Sequence, residues 1–441
     1  MQKRILVLTY YWPPSGGAGV QRWLKMVKYL HALDWEPVVY TVDQGEWPIE
    51  DPTLNKDIPA GLTCLKRPIF EPYAIYKWFT GRKSSERINP AFFSEKTTNT
   101  WRDRLSLWIR ANFFIPDARC FWIKPSIRYL ADYVKTNPVN FIISTGPPHS
   151  MHRIALGIKR RFPHLIWIAD FRDPWTDIDY MHHLKLMFWA RKMHLKMERE
   201  VLEKASGVLC VGQKMSQRLQ LKLKPLQSNK FKVLYNGFDE SDRTEPTVYN
   251  SNSQFIVSHI GTLVKDRNPE VLWRVLHDLK QSHLHLNQKL IVRCIGKTDA
   301  FVKERVKHLQ IEDLVQFIDY LPHAEIFEKQ KQSDLLLLVI NNTPLSKETI
   351  TGKVFEYLHA QKPILVIGPP DGEASELIQQ TQSGICVDYS MTTKLTDYLE
   401  HCLIQKPVLP NRNLNRFSRS HQAAELVAWL EQMRLSTQRI H

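Results

Sequence analysis

The 441-residue chain has only six cysteines, and none stands in a Cys-x-x-Cys or Cys/His spacing. Cys64, Cys120, Cys210, Cys294, Cys386 and Cys402 are scattered. That excludes a disulfide framework and a zinc site as expectations and agrees with a reducing, cytoplasmic setting. No run reaches the roughly 18 apolar residues of a membrane span. The apolar stretch after Met1-Gln2-Lys3-Arg4 ends in Pro13-Pro14 with no small-residue cleavage site, so it reads as a first strand rather than a leader. Repeats and low-complexity segments are lacking. The dinucleotide spacing Gly-x-Gly-x-x-Gly starts at Gly17 but meets Arg22 at its last position, which argues against a nicotinamide site.

What is present fits two globular domains. Hydrophobic residues make up 43% and charged residues 24%, enough to fill two cores across this length. The charge is lopsided. Residues 1–240 hold 37 Lys and Arg against 22 Asp and Glu, whereas residues 241–441 hold 23 of each. A one-sided positive field attracts an anionic partner: a nucleic acid, an anionic lipid surface or a phosphorylated acceptor. No nucleic-acid-binding module is recognisable, so a basic nucleic-acid-binding protein is an alternative reading only.

Apolar runs alternate with helical patterns, as in parallel α/β layers. In the first half the runs are Ile5–Thr9, Pro37–Val42, Phe141–Ser144, Ile166–Ala169, Val208–Val211 and Lys232–Tyr235. After a polar linker at 239–254, a second series comprises Phe255–Ile260, Leu290–Ile295, Val315–Ile318, Leu335–Ile340, Ile364–Ile367 and Gly384–Val387. The expected domains are 1–240, 254–414 and a helical tail at 415–441, with an aromatic and basic insertion at 68–125. Within that insertion Trp101, Leu105 and Trp108 share a helical face with arginines at its margins. Such a helix can lie in a membrane interface, but a face packed on its own domain, with the arginines snorkelling, is the preferred expectation for this helix alone.

Glu348 and Glu356 stand eight residues apart in Glu348-Thr349-Ile350-Thr351-Gly352-Lys353-Val354-Phe355-Glu356. Eight residues are about 80° out of phase on a helix, so a loop should carry the first glutamate and a helix the second. Gly352, with Thr351 as N-cap, marks the transition, and a helix start offers free N–H groups to a phosphate. Carboxylates that accept sugar hydroxyls beside an anion site suit a nucleotide-sugar diphosphate.

Other motifs sit where such a ligand needs them. Gly16, Gly17 and Gly19 follow the first strand and open onto a helix, letting amides approach a ligand. Ser144-Thr145-Gly146-Pro147-Pro148-His149-Ser150-Met151-His152 and Asp170-Phe171-Arg172-Asp173-Pro174-Trp175 both follow strands at the ligand-binding end of an open sheet. Gly261-Thr262-Leu263-Val264-Lys265-Asp266-Arg267 follows the first strand of the second half.

These motifs, with Gly352-Lys353-Val354-Phe355-Glu356-Tyr357-Leu358 and Lys362-Pro363-Ile364-Leu365, resemble the retaining glycosyltransferases of family four, group 1, in their bacterial polysaccharide and lipopolysaccharide branch. The resemblance implies a GT-B fold, two facing Rossmann-like domains with a C-terminal helix crossing back to the first. It implies that Glu356 holds the nucleotide ribose and that Glu348 lies near the donor sugar. Gly16, Gly17, Gly19, Lys265, Arg267, Gly352 and Lys353 would surround the diphosphate. An active-site histidine is implied at His149 or His152, with His149 nearer the strand end. Asp170, Arg172 and Asp173 would face the acceptor. The family's arginine beside the first glycine is replaced here by Thr262; either Lys265 or Lys353 would supply the missing charge, or one phosphate would be held by hydrogen bonds alone. The implied reaction moves a sugar, with retention, onto a glycan or lipid-linked saccharide and uses no metal or other cofactor. A sugar-nucleotide epimerase of the same fold is the alternative enzyme.

Overall fold

The computed structural model describes residues 3–45, 47, 49–70, 101–178, 181, 184–242, 254–282, 290–321 and 323–438. The chain divides into two compact units, Met1–Tyr235 with Arg419–His441, and Asn236–Ser418. The expected insertion and linker fall partly outside the described residues, at 71–100 and 243–253.

The first unit holds a parallel sheet of β1 (Arg4–Leu8), β2 (Glu36–Asp43), β3 (Thr63–Pro68), β4 (Phe141–Gly146), β5 (Ile166–Phe171), β6 (Gly207–Cys210) and β7 (Phe231–Val233). Their order is β3-β2-β1-β4-β5-β6-β7. Every residue of β4 and β5 is buried, as strands covered by helices on both faces require. The core gathers Ile5, Val7, Trp23, Val27, Ile143 and Ile168. Ala423, Leu426 and Leu430 of the helix Arg419–Gln438 join the same core, so the tail returns to the first unit as expected. Burying each such leucine contributes about 1.5–3 kcal/mol.

The second unit holds β8 (Phe255–Ile260), β9 (Leu290–Ile295), β10 (Val315–Ile318), β11 (Leu335–Val339), β12 (Ile364–Ile367) and β13 (Gly384–Val387), again parallel, in the order β10-β9-β8-β11-β12-β13. Both sheets reverse their winding once, between β1 and β4 and between β8 and β11. Open α/β sheets bind ligands beyond the carboxyl ends of the strands at this reversal. The fold therefore marks the loops after β1 and β4 in one unit, and those after β8 and β11 in the other.

Candidate functional site

In the second unit, β8 ends at Ile260 and the chain turns at Gly261, whose φ of 133° strains any other residue. A Cβ there would lie 1.8 Å from Lys353 Nζ, so the missing side chain is what admits the lysine. Lys353 belongs to the helix Gly352–Ala360, whose base is pinned below β8 by the Ile260 amide donating to Tyr357 Oη at 3.0 Å. Arg267 comes from the loop after β8 and is held by the β11 loop: its Nε donates to Asn341 Oδ1 at 2.7 Å, its Nη1 to the Thr262 carbonyl at 3.3 Å.

Two cations thus converge at one switch point, and neither forms an ion pair among the described residues. Burial, reinforced by repulsion from Arg267, pushes the Lys353 ammonium down to about 8 against the pull of Glu356. Burial also lowers the Arg267 guanidinium. Thr351 occupies the N-cap but makes no capping hydrogen bond, and its buried Oγ1 has no partner. A helix start, an unpartnered hydroxyl and two cations without an ion pair among the described residues are groups that could hold a polyanion such as a diphosphate.

Lys265 was the other candidate for the missing charge, but it is exposed and lies over the Phe301 ring, 5.9 Å from its centroid. Glu348 ends the short 3-10 helix Ser346–Glu348 instead of lying in an open loop, and Glu356 lies in the second turn of the following helix, so two separate elements carry the two glutamates.

The Lys353 geometry predicts a pH dependence. Below about pH 8 the lysine is charged; above it, most free protein carries it neutral. A bound diphosphate favours the ammonium, so between about pH 8 and the ordinary lysine value near 10.4 binding takes up protons and weakens as pH rises. Calorimetry of a nucleoside diphosphate in buffers of different ionisation enthalpy should show this uptake, and Lys353→Met should remove it.

In the first unit, Gly17 caps the helix Ala18–Ala32 with φ of 86° and open space around it. Gly16 is buried, its amide donating to the Ile49 carbonyl at 2.9 Å. The Gly19 carbonyl accepts from Arg172 Nη1 at 2.9 Å, while Arg172 Nη2 donates to the Pro147 carbonyl. Arg172 also lies over the Tyr11 ring. It therefore brackets the loops after β1, β4 and β5.

Asp170 is fully buried and saturated. It accepts from Arg22 Nη2 at 2.8 Å, Trp23 Nε1 at 2.7 Å and Thr145 Oγ1 at 2.8 Å. Burial alone would raise its carboxyl, but the Arg22 charge and these hydrogen bonds hold it below the ordinary range. The expectation that Asp170 faces an acceptor is therefore corrected: no lone pair is left to offer. Asp173 is exposed.

His149 ends the β4 loop, stacked flat on Trp175 with centroids 4.5 Å apart. Both its ring nitrogens are buried without a partner. Burial, helped by nearby His152 and His194, holds it well below the usual imidazole range, so it is neutral at pH 7. His152 is already engaged, its Nδ1 sharing a hydrogen with Ser144 Oγ at 2.8 Å. Two orphaned nitrogens make His149 the better candidate of the pair. Sequence reasoning assigned no role to Trp175, whose Nε1 donates to His194 Nδ1 at 3.1 Å. It also missed Asp117, which accepts from the Ser150 amide at 2.8 Å and Oγ at 2.7 Å and so fixes the helix start beside His149.

Among the described residues no group of three or more His, Cys, Asp and Glu could hold a metal ion. The chain has an Asp-x-Asp spacing at Asp177-Ile178-Asp179. Asp177 pairs with Lys222 at 2.6 Å, and Asp179 lies outside the described residues.

No curated protein matches the sequence. Solved structures share the fold at low identity. Sucrose-phosphate synthase from Thermosynechococcus elongatus aligns with a TM-score of 0.57 at 11% identity, over 100% of this chain and 98% of that one. The lipopolysaccharide outer core galactosyltransferase WaaB gives 0.58 at 11%, over 97% and 99%. An Escherichia coli protein described as trehalose-6-phosphate, bound with UDP-2-fluoro glucose, gives 0.55 at 11%, over 98% of both chains. These likenesses show the GT-B fold. Residues 242–419 match the family model described as glycosyl transferases group 1, which with that fold supports a glycosyltransferase.

Proposed function

We propose that the chain transfers a sugar, with retention, from a nucleoside-diphosphate sugar to an acceptor hydroxyl in the synthesis of a cell-surface polysaccharide or lipopolysaccharide. The observation that carries this reading is the pair Lys353 and Arg267, two cations without a carboxylate partner at the β8/β11 switch point, beside a helix start and Glu356. Departure of a diphosphate concentrates negative charge on its oxygens, and fixed positive groups in a partly desolvated site lower that barrier. Lys353, Arg267 and the amides from Gly352 onward take this part, and Glu356 accepts the ribose hydroxyls. Glu348 positions the donor sugar, and in the first unit His149 offers a neutral imidazole whose two ring nitrogens have no partner. The galactosyltransferase and the nucleotide-sugar-bound neighbour support the donor class by analogy of fold. An acceptor glycan or lipid-linked saccharide, and work at the cytoplasmic membrane face, complete the proposal.

The test incubates the protein with UDP-, GDP- and ADP-sugars and follows release of nucleoside diphosphate. One donor should be hydrolysed slowly without acceptor, and Glu356→Ala should abolish that release with circular dichroism unchanged. A free epimeric sugar released with its nucleotide would move the assignment to an epimerase. Unchanged turnover in Glu356→Ala would remove Glu356 from the site.

A further inference from the structure

The helix Trp101–Phe113 in the first unit turns part of its apolar surface outward. Trp101, Leu105, Ile109 and Phe113 follow one another at intervals of four and form its exposed stripe, with Trp101 66% and Phe113 60% accessible. Its buried face carries Ser106, Ala111 and Asn112, with Leu107 and Trp108 half-buried. Asn112 is fully buried: its Nδ2 donates to the Trp108 and Lys185 carbonyls, and its Oδ1 accepts from the Met187 amide at 2.6 Å. That clamp fixes where the helix Phe188–Lys204 begins. The first turns of this second helix are exposed as well, at Met187, Phe188, Trp189, Met193 and Leu195, with Phe188 81% accessible. Phe113 meets Trp189 edge to face at 5.6 Å, so the two apolar sets are continuous.

The charge around the patch has one sign. Residues 101–113 and 184–197 contain seven Lys and Arg and a single acid, Asp103. Arg191, Lys192 and Lys196 interleave with the exposed aromatics on the second helix and are themselves exposed. Exposed patches rimmed by polar groups mark interaction sites. Aromatics flanked by basic residues, on helices too polar to cross, suit an anionic lipid surface: rings enter the headgroup layer while cations pair with lipid phosphates. No helix among the described residues is long and apolar enough to span a membrane.

We propose that this surface, the stripe Trp101–Phe113 together with the start of the helix at Phe188, docks the protein on an anionic lipid bilayer. The patch lies wholly in the first unit, so the proposal stands apart from the donor reading.

Co-sedimentation of the full chain with phosphatidylcholine vesicles, with and without phosphatidylglycerol, tests it. The protein should sediment with anionic vesicles at low salt, less at high salt, and little with neutral ones. Phe188→Ser with Trp189→Ser should weaken binding by about tenfold or more, and Arg191→Glu with Lys192→Glu should remove its salt-sensitive part. Circular dichroism and thermal unfolding of each variant, unchanged from wild type, report that the fold is intact. Wild-type protein that stays in the supernatant with anionic vesicles would overturn the proposal, as would variants that sediment like wild type. So would a stable dimer that Phe188→Ser with Trp189→Ser dissociates, because a second copy would then cover the patch.

Discussion

Asp170→Ala lowers the stability of the first unit by about 3–5 kcal/mol, the cost of stranding one member of a buried ion pair. The Arg22 and Asp170 side chains are 2% and 0% accessible. Removing the carboxylate leaves Arg22 charged in the core and deprives Trp23 and Thr145 of their acceptor. Arg22 Nη1 also donates to the Leu234 and Tyr235 carbonyls, both at 2.9 Å, where the chain leaves the first unit. A paired replacement, Arg22→Met with Asp170→Leu, should therefore recover only part of the loss: it removes the stranded charge but orphans those two carbonyls. Urea unfolding followed by tryptophan fluorescence checks both results. A loss below about 1 kcal/mol would mean that solvent reaches the pair.

Lys353→Met should lower kcat/KM for the donor by about 10²–10³, with most of the loss in kcat, because the charge it meets grows as the diphosphate leaves. The substitution removes the repulsion with Arg267, so the variant should be at least as stable as wild type, and lost activity could not be traced to unfolding. Lys265→Met, remote over Phe301, should change turnover little and serves as the control. Steady-state release of nucleoside diphosphate by the three proteins decides it. Equal losses in both variants would indicate a diffuse field instead of a built site.

Five of the six strand runs in the second half match the structure at both ends, and the sixth, Leu335–Ile340, overruns β11 by one residue. Strands buried on both faces are continuous apolar runs and leave little room for misreading. The missed strand, β3, lies at a sheet edge with Thr63, Arg67 and Pro68 exposed, so no burial wrote an apolar pattern there. The switch-point loops were legible for the same reason: they follow readable strands. Which side chains occupy them was not. Lys265 and Lys353 were equivalent as charges, and the open Cα of Gly261 separates them only in three dimensions. Asp170 read as a loop acid because its partner Arg22 is 148 residues away. Asp117 and His194 carried no local signal, since each acts on a helix or ring distant in sequence.

The most direct test of the donor site is calorimetric titration of UDP, GDP and ADP into the wild-type protein and into Glu356→Ala and Lys353→Met at pH 7. One nucleotide should bind the wild type in the micromolar range, with each substitution weakening it by about tenfold or more. Wild-type protein that binds none of the three, or both variants binding as tightly as wild type, would contradict the assignment of the Gly352–Ala360 helix start as a nucleotide-sugar site.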